Sequence, residues 1–90
     1  MLRSSVTNEF RVRLKKLPLE IQQLAVRSYR VWLENPRHTG LGFKCVNPRL
    51  HVYSVRVGID HRALGHLEQG RMKWFWIGTH AEYDKLLKLF

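Results

Sequence analysis

The stretch from Arg71 to Phe90 limits the possible fold more than any other part of the chain. Lys73-Trp74-Phe75-Trp76-Ile77 is dense in aromatic and β-branched side chains, which suit a pleated, buried strand. Gly78 is expected to break that strand. Thr79 follows with Glu82 three residues on, the capping-box pattern that opens a helix. Tyr83, Leu86, Leu87 and Phe90 then recur at helical spacing on one face. A buried strand, a glycine turn and a capped helix therefore follow one another, with His80 in the first helical turn. Free backbone N–H groups and the helix dipole make such a turn attractive to anions.

The preceding chain has to cover this strand. Asn8 is a plausible helix N-cap, and Phe10, Leu14 and Leu17 repeat at helical spacing behind it. Met1 to Ser5 reads as a frayed terminus, or Ser4 to Thr7 as a short edge strand. Arg11, Arg13, Lys15 and Lys16 occupy the other faces of the first helix, as a solvated surface or a phosphate-facing ridge. Pro18 ends that helix and fits the first turn of a second. Ile21, Leu24, Ala25, Ser28 and Trp32 form one stripe, widened by Tyr29 and Leu33, and Asn35-Pro36 stops it. The two helices are expected to pack as a hairpin on a sheet.

Arg37 to Gly42 reads as a loop, and Phe43 to Val46 as a short strand containing the buried Cys45. Val52 to Val57 shows the clearest alternation, with Tyr53, Val55 and Val57 on one side and Ser54 and Arg56 on the other. Gly58 to Asp60 makes a turn, Arg62 to Leu67 a further strand, and Glu68-Gln69-Gly70 a tight hairpin into the final strand. Short connections favour antiparallel pairing. The expected architecture is α+β: an N-terminal helical hairpin on a small antiparallel β-sheet, then a short C-terminal helix, with residues 1–90 as one domain.

Composition narrows the partners. Sixteen Lys and Arg against seven Asp and Glu give a net charge of +9, which favours a polyanionic partner: nucleic acid, a ribosome or an acidic protein. With 44% hydrophobic residues the chain is too apolar for a disordered one. There is no apolar run of membrane-spanning length and no signal core at Met1 to Ser5, so a cytoplasmic location is expected. A single cysteine excludes an internal disulfide and fits a reducing compartment.

If the strands form a meander, Lys44, Arg56 and Arg62 share the exposed face of the sheet, with His80 near one end. RNA cleavage by the 2′-hydroxyl needs a base, cations around the charged phosphorane, and an acid for the leaving oxygen. Histidine serves as acid or base near neutral pH, and arginine grips phosphate with two parallel N–H groups. His61 and His66 lack metal-ligand spacing and there is no HExxH, so no metal is expected. Tyr53 and Tyr83 are base-stacking candidates, although their spacing fits core positions better.

Asn35-Pro36-Arg37, Tyr53-Ser54-Val55-Arg56-Val57, Asp60-His61-Arg62 and Trp76-Ile77-Gly78-Thr79-His80, in this order behind two helices, resemble the RelE/ParE superfamily of bacterial toxins. The likeness runs from the first helix to Tyr83. It implies an antiparallel sheet with helices on one side. In the RelE/YafQ-like branch it implies a ribosome-dependent mRNA endonuclease that needs no cofactor and is neutralised by an antitoxin. Arg62 resembles the arginine that RelE places on the scissile phosphate. His80, in Gly78-Thr79-His80, resembles the acid/base histidine of YafQ-type toxins. The lysines of the RelE central strand are replaced here by Ser54 and Arg56, and Leu86 stands where RelE has a terminal tyrosine. The resemblance therefore implies a histidine-centred site of His80, Arg62, Arg56 and His61, with Lys44, Arg37, Lys73 and Tyr83 as nucleic-acid contacts. A ParE-like inhibitor of DNA gyrase, or an inactive antitoxin-binding homologue, would share the same fold.

Overall fold

The computed structural model describes residues 3–89; the expectations for Met1, Leu2 and Phe90 fall outside them. The elements run β1 (Arg3–Val6), α1 (Asn8–Lys15), α2 (Leu19–Glu34), a 3₁₀ turn (Thr39–Leu41), β2 (Lys44–Asn47), β3 (Val52–Val57), β4 (His61–Glu68), β5 (Arg71–Thr79) and α3 (His80–Leu87). One five-stranded sheet has the order β1-β5-β4-β3-β2. The β2 to β5 meander is antiparallel, as the short turns demand, but β1 joins β5 in parallel, so the sheet is mixed. A parallel partner needs a long crossover, and here the whole chain between β1 and β5 supplies it.

Local chemistry explains the helix starts. Thr7, one residue before the expected cap, has extended backbone and accepts the Phe10 N–H at 3.1 Å. Pro18 caps α2 through its carbonyl, which receives the Ile21 N–H at 2.9 Å, and Asn35 ends the helix. α1 lies over β5 and α2 over β3. An apolar groove of about 260 Å³ opens between the two helices, floored by Val55, Ala63 and Trp74.

The core has two parts, one on each face of the sheet. On the α1/α2 face Trp32, Leu41, Val55, Val57, Ala63, Met72, Trp74 and Ile77 are buried together. On the other face α3 brings Tyr83 onto Val52, Leu64 and Trp76. Helices on one side only, as the resemblance implied, is therefore not what the chain does. A β-bulge makes this possible. Leu64 faces Trp76 and Gly65 faces Trp74, which leaves Phe75 without a partner on β4. The extra residue reverses the side-chain phase, so Trp74 and Trp76 point to opposite faces. Gly65 is required at this place, since a Cβ there would lie 2.5 Å from Met72 Sδ and 2.7 Å from Trp74 Cε3.

Two further expectations are corrected by the strand ends and edges. Gly78 does not break the strand; β5 continues to Thr79, and Gly78 is buried within it. Its lack of a side chain admits the Trp76 ring and a Glu82 carboxylate oxygen, which would lie 2.7 and 2.8 Å from a Cβ. Cys45 is exposed, because β2 is a sheet edge and the residue is not covered by a helix.

Candidate functional site

The α3 face of the sheet carries the basic residues. Strand register places Arg56 directly opposite Arg62, with Gly78 next in the same row. Lys44 stands opposite Ser54, one row along. Two like charges on directly opposed positions of neighbouring strands repel each other. Among the described residues neither arginine forms an ion pair. Arg56 is exposed, and its side chain lies against Gly42, where the left-handed backbone (φ +54°) and missing Cβ leave it room. Arg62 is half-buried and donates from Nη1 to the His61 carbonyl at 2.8 Å, which leaves its other guanidinium N–H groups for a ligand.

His80 opens α3 beside this row. Its backbone N–H donates to the Asp60 carbonyl at 2.8 Å, tying the start of the helix to the turn before β4. The capping box forms as the sequence predicts: the Glu82 N–H donates to Thr79 Oγ1 at 3.2 Å, and the Thr79 N–H donates to Glu82 Oε1 at 2.9 Å. The Thr79 backbone N–H is the main reason that the Glu82 carboxyl is held below its ordinary value; burial, the next largest effect, opposes it, and the Thr79 hydroxyl, Arg13 and His61 each help to lower it. Arg13 reaches round from α1. Its Nε donates to the Ile77 carbonyl at 2.8 Å, its guanidinium lies 5.0 Å from the Trp76 ring centre, and Nη2 is 3.7 Å from Glu82. Arg13 thus fastens the end of β5 and is not a free phosphate ligand.

The His80 ring is held on two sides. Nδ1 lies 3.1 Å from Asp84 Oδ2, one helical turn on, and the ring meets Tyr83 edge to face at 5.9 Å. The side chain remains 41% exposed. The structure thus places His80, Arg62 and Arg56 at the same end of one face, with Lys44 beside them.

The remaining expected residues lie elsewhere. His61 alternates to the opposite face of β4 from Arg62, level with Val57 and Thr79, and is only 8% exposed. It is removed from the cluster for that reason. Tyr83 is 5% exposed; its ring is core between Val52, Leu64 and Trp76, and its hydroxyl donates to Ser54 Oγ at 3.1 Å, so no ring face is free for a base. Arg37 sits exposed in the turn after α2, outside the register that aligns Arg56 and Arg62. Lys73 shares the α3 face but at the far, hairpin end, in a polar hollow of about 230 Å³ with His66, Glu68, Gln69 and Arg71. His38, in the same loop as Arg37, accepts the Gly40 N–H at Nδ1 and caps the 3₁₀ turn. Among the described residues no three His, Cys, Asp or Glu side chains gather into a metal-holding group. Sequence reasoning missed Asp84, although the i,i+4 spacing from His80 was its available signal.

The family model described as "ParE-like toxin domain" matches residues 19–85, a span that holds Arg56, Arg62, His80 and Asp84. No curated protein sequence matches the chain. Among solved structures, YafQ from E. coli strain BL21(DE3) superposes with a TM-score of 0.72 at 11% identity, covering 92% of this chain and 98% of that one. The RelE of an archaeal RelE–RelB complex from Pyrococcus horikoshii OT3 gives 0.70 at 13% identity over 87% and 93%. The toxin–antitoxin complex RelBE2 from Mycobacterium tuberculosis gives 0.64 at 21% identity over 88% and 98%. At these identities the likeness is one of fold, and it is nearly complete in both directions.

Proposed function

Because this chain belongs to the family of ParE-like toxin domains, we propose that it is a toxin that cuts ribosome-bound mRNA, in the manner of the RelE/YafQ-like branch, and that an antitoxin holds it inactive. Solved relatives bound to RelB antitoxins support the partner. The observation that carries the nuclease reading is the Arg56–Arg62 pair with His80 beside it. Two opposed arginines that have no carboxylate partner among the described residues would suit an anion, since a phosphate cancels their repulsion and accepts paired N–H donors.

The chemistry follows from those groups. His80 takes the 2′-hydroxyl proton at Nε2, and O2′ attacks the adjacent phosphorus. The guanidinium groups of Arg56 and Arg62 balance the charge that builds on the phosphorane oxygens. The bond from phosphorus to O5′ breaks, and the leaving oxygen takes a proton from solvent water. The hydroxide so formed recovers the proton from the His80 imidazolium. The products are a 2′,3′-cyclic phosphate and a 5′-hydroxyl. Arginine is too weak an acid to serve as the base itself, which leaves that role to His80. Lys44 contacts the neighbouring phosphate, and Lys73 contacts the strand farther along the same face.

The test is cleavage of a defined mRNA, with and without programmed ribosomes, by the wild type and His80→Ala. Cutting that requires ribosomes and falls about 10²- to 10⁴-fold in the variant is the expected result. Undiminished cutting by the variant would remove His80 from the chemistry. The name of the matching family model favours one second reading, a ParE-like action on DNA gyrase. Inhibition of gyrase supercoiling by a protein that leaves mRNA intact would establish that reading instead.

A further inference from the structure

We propose that Asp84 is a positioning residue that fixes the His80 imidazole with its proton on Nδ1 and its lone pair on Nε2, facing the phosphate site. This rests on the nuclease reading above for its consequence, but not for the geometry. His80 and Asp84 are the first and fifth residues of α3, so one helical turn brings their side chains together, and Nδ1 stands 3.1 Å from Oδ2. An ionised carboxylate only accepts hydrogen bonds. The nitrogen facing it must therefore carry the hydrogen, and in the neutral ring this leaves Nε2 as the only basic atom.

The surroundings make the hold directional. Tyr83 presents an edge-to-face contact to the ring, and Tyr83 is itself fixed by burial and by its hydrogen bond to Ser54. The His80 backbone is tied to Asp60. The other carboxylate of this turn, Glu82, is turned back onto Thr79 and Arg13 and does not compete for the imidazole. With Asp84 on one side and Tyr83 on another, the ring has one nitrogen left to offer. Asp84 is 58% exposed, so water and salt weaken the pair, and its effect is on ring orientation and tautomer more than on stability. When His80 has taken a proton at Nε2, the imidazolium donates from both nitrogens and Asp84 faces the positive charge.

Two readouts on the full chain test this. The first is the pair of His80 ring ¹⁵N shifts, at a pH where the ring is neutral, in the wild type and Asp84→Ala. The expected spectra show a protonated Nδ1 in the wild type and a shift toward a protonated Nε2 in the variant. The second is single-turnover cleavage of ribosome-bound mRNA. Here the rate constant at saturation is expected to fall on the order of 10²-fold in Asp84→Ala, as for a misplaced reacting group, with the concentration for half-saturation unchanged or lower. The same tautomer in both proteins would overturn the proposal. So would an undiminished rate constant. A wild type that shows the Nδ1–H tautomer but cuts no mRNA would leave Asp84's hold on the ring intact and sink the nuclease reading alone.

Discussion

Glu82 closes the capping box at the start of α3. Its carboxylate accepts the Thr79 N–H and hydroxyl and lies near Arg13, in space that only a glycine at position 78 leaves open. Because these contacts favour the ionised form, its folded pKa lies below the ordinary 4.5. A depressed carboxyl contributes stability that is complete above the unfolded value and is lost as pH falls through the folded one. Glu82→Gln should therefore melt lower than the wild type at neutral pH, and the gap should close as the pH drops below that range. Thermal melts of both proteins along a pH series check this, and a gap that stays constant into acid would count against it. At the same scale, His61 and Arg62 show what neighbouring residues can do. They are adjacent in sequence, yet the pleat puts one in the core and the other on the face that carries α3.

Among the elements, α3 ties stability to the site most directly. It has only eight residues, too short to persist alone, so its cap and its packing on the sheet maintain it. Thr79→Ala removes the acceptor for the Glu82 N–H and should cost about 1 kcal/mol in urea unfolding. The same change loosens the turn that carries His80, so mRNA cleavage should fall by more than the small unfolded fraction explains. A variant that loses the stability and keeps full cleavage would show that the cap does not position His80. β5 is the second element to notice. Its bulge at Phe75 sends Trp74 under α2 and Trp76 under α3, so one strand binds both halves of the core.

Across the whole molecule, the larger half of the core centres on Trp32. The ring is 1% exposed, stacks near Tyr29, and meets Phe43 and Trp74 edge to face at 5.8 and 5.3 Å. Trp32→Ala should destabilise by roughly 3–5 kcal/mol, toward the lower end because the buried indole Nε1 has no hydrogen-bond partner among the described residues to lose. Equilibrium urea denaturation measures it, and a loss under about 1 kcal/mol would mean that the helix repacks over the gap. The site lies on the opposite face, so cleavage by the folded fraction of this variant should stay near that of the wild type.

The sequence by itself determined the elements that rest on neighbours in the chain. The Thr79–Glu82 capping box, the α2 stripe ending at Asn35, and the Val52–Val57 alternation all involve residues within a few positions of each other. Periodicity and caps are local properties, and the placement of Arg56, Arg62 and His80 near one another follows from them once the strands form a meander. Tertiary structure decided the rest, because each remaining choice depended on residues far apart. The parallel seat of β1 depends on β5, at the other end of the chain. The bulge depends on room that Gly65 leaves for Trp74 across the strand pair. Gly78 reads as a breaker in the sequence, but the Trp76 ring and Glu82 need its place inside the strand. Tyr83 and Val52 became core only because α3 folded back over the second face. That same fold-back set His80 and Asp84 at the end of the face where Arg56 and Arg62 lie, since a helix's face is set by its own sequence but its address is set by what it packs on.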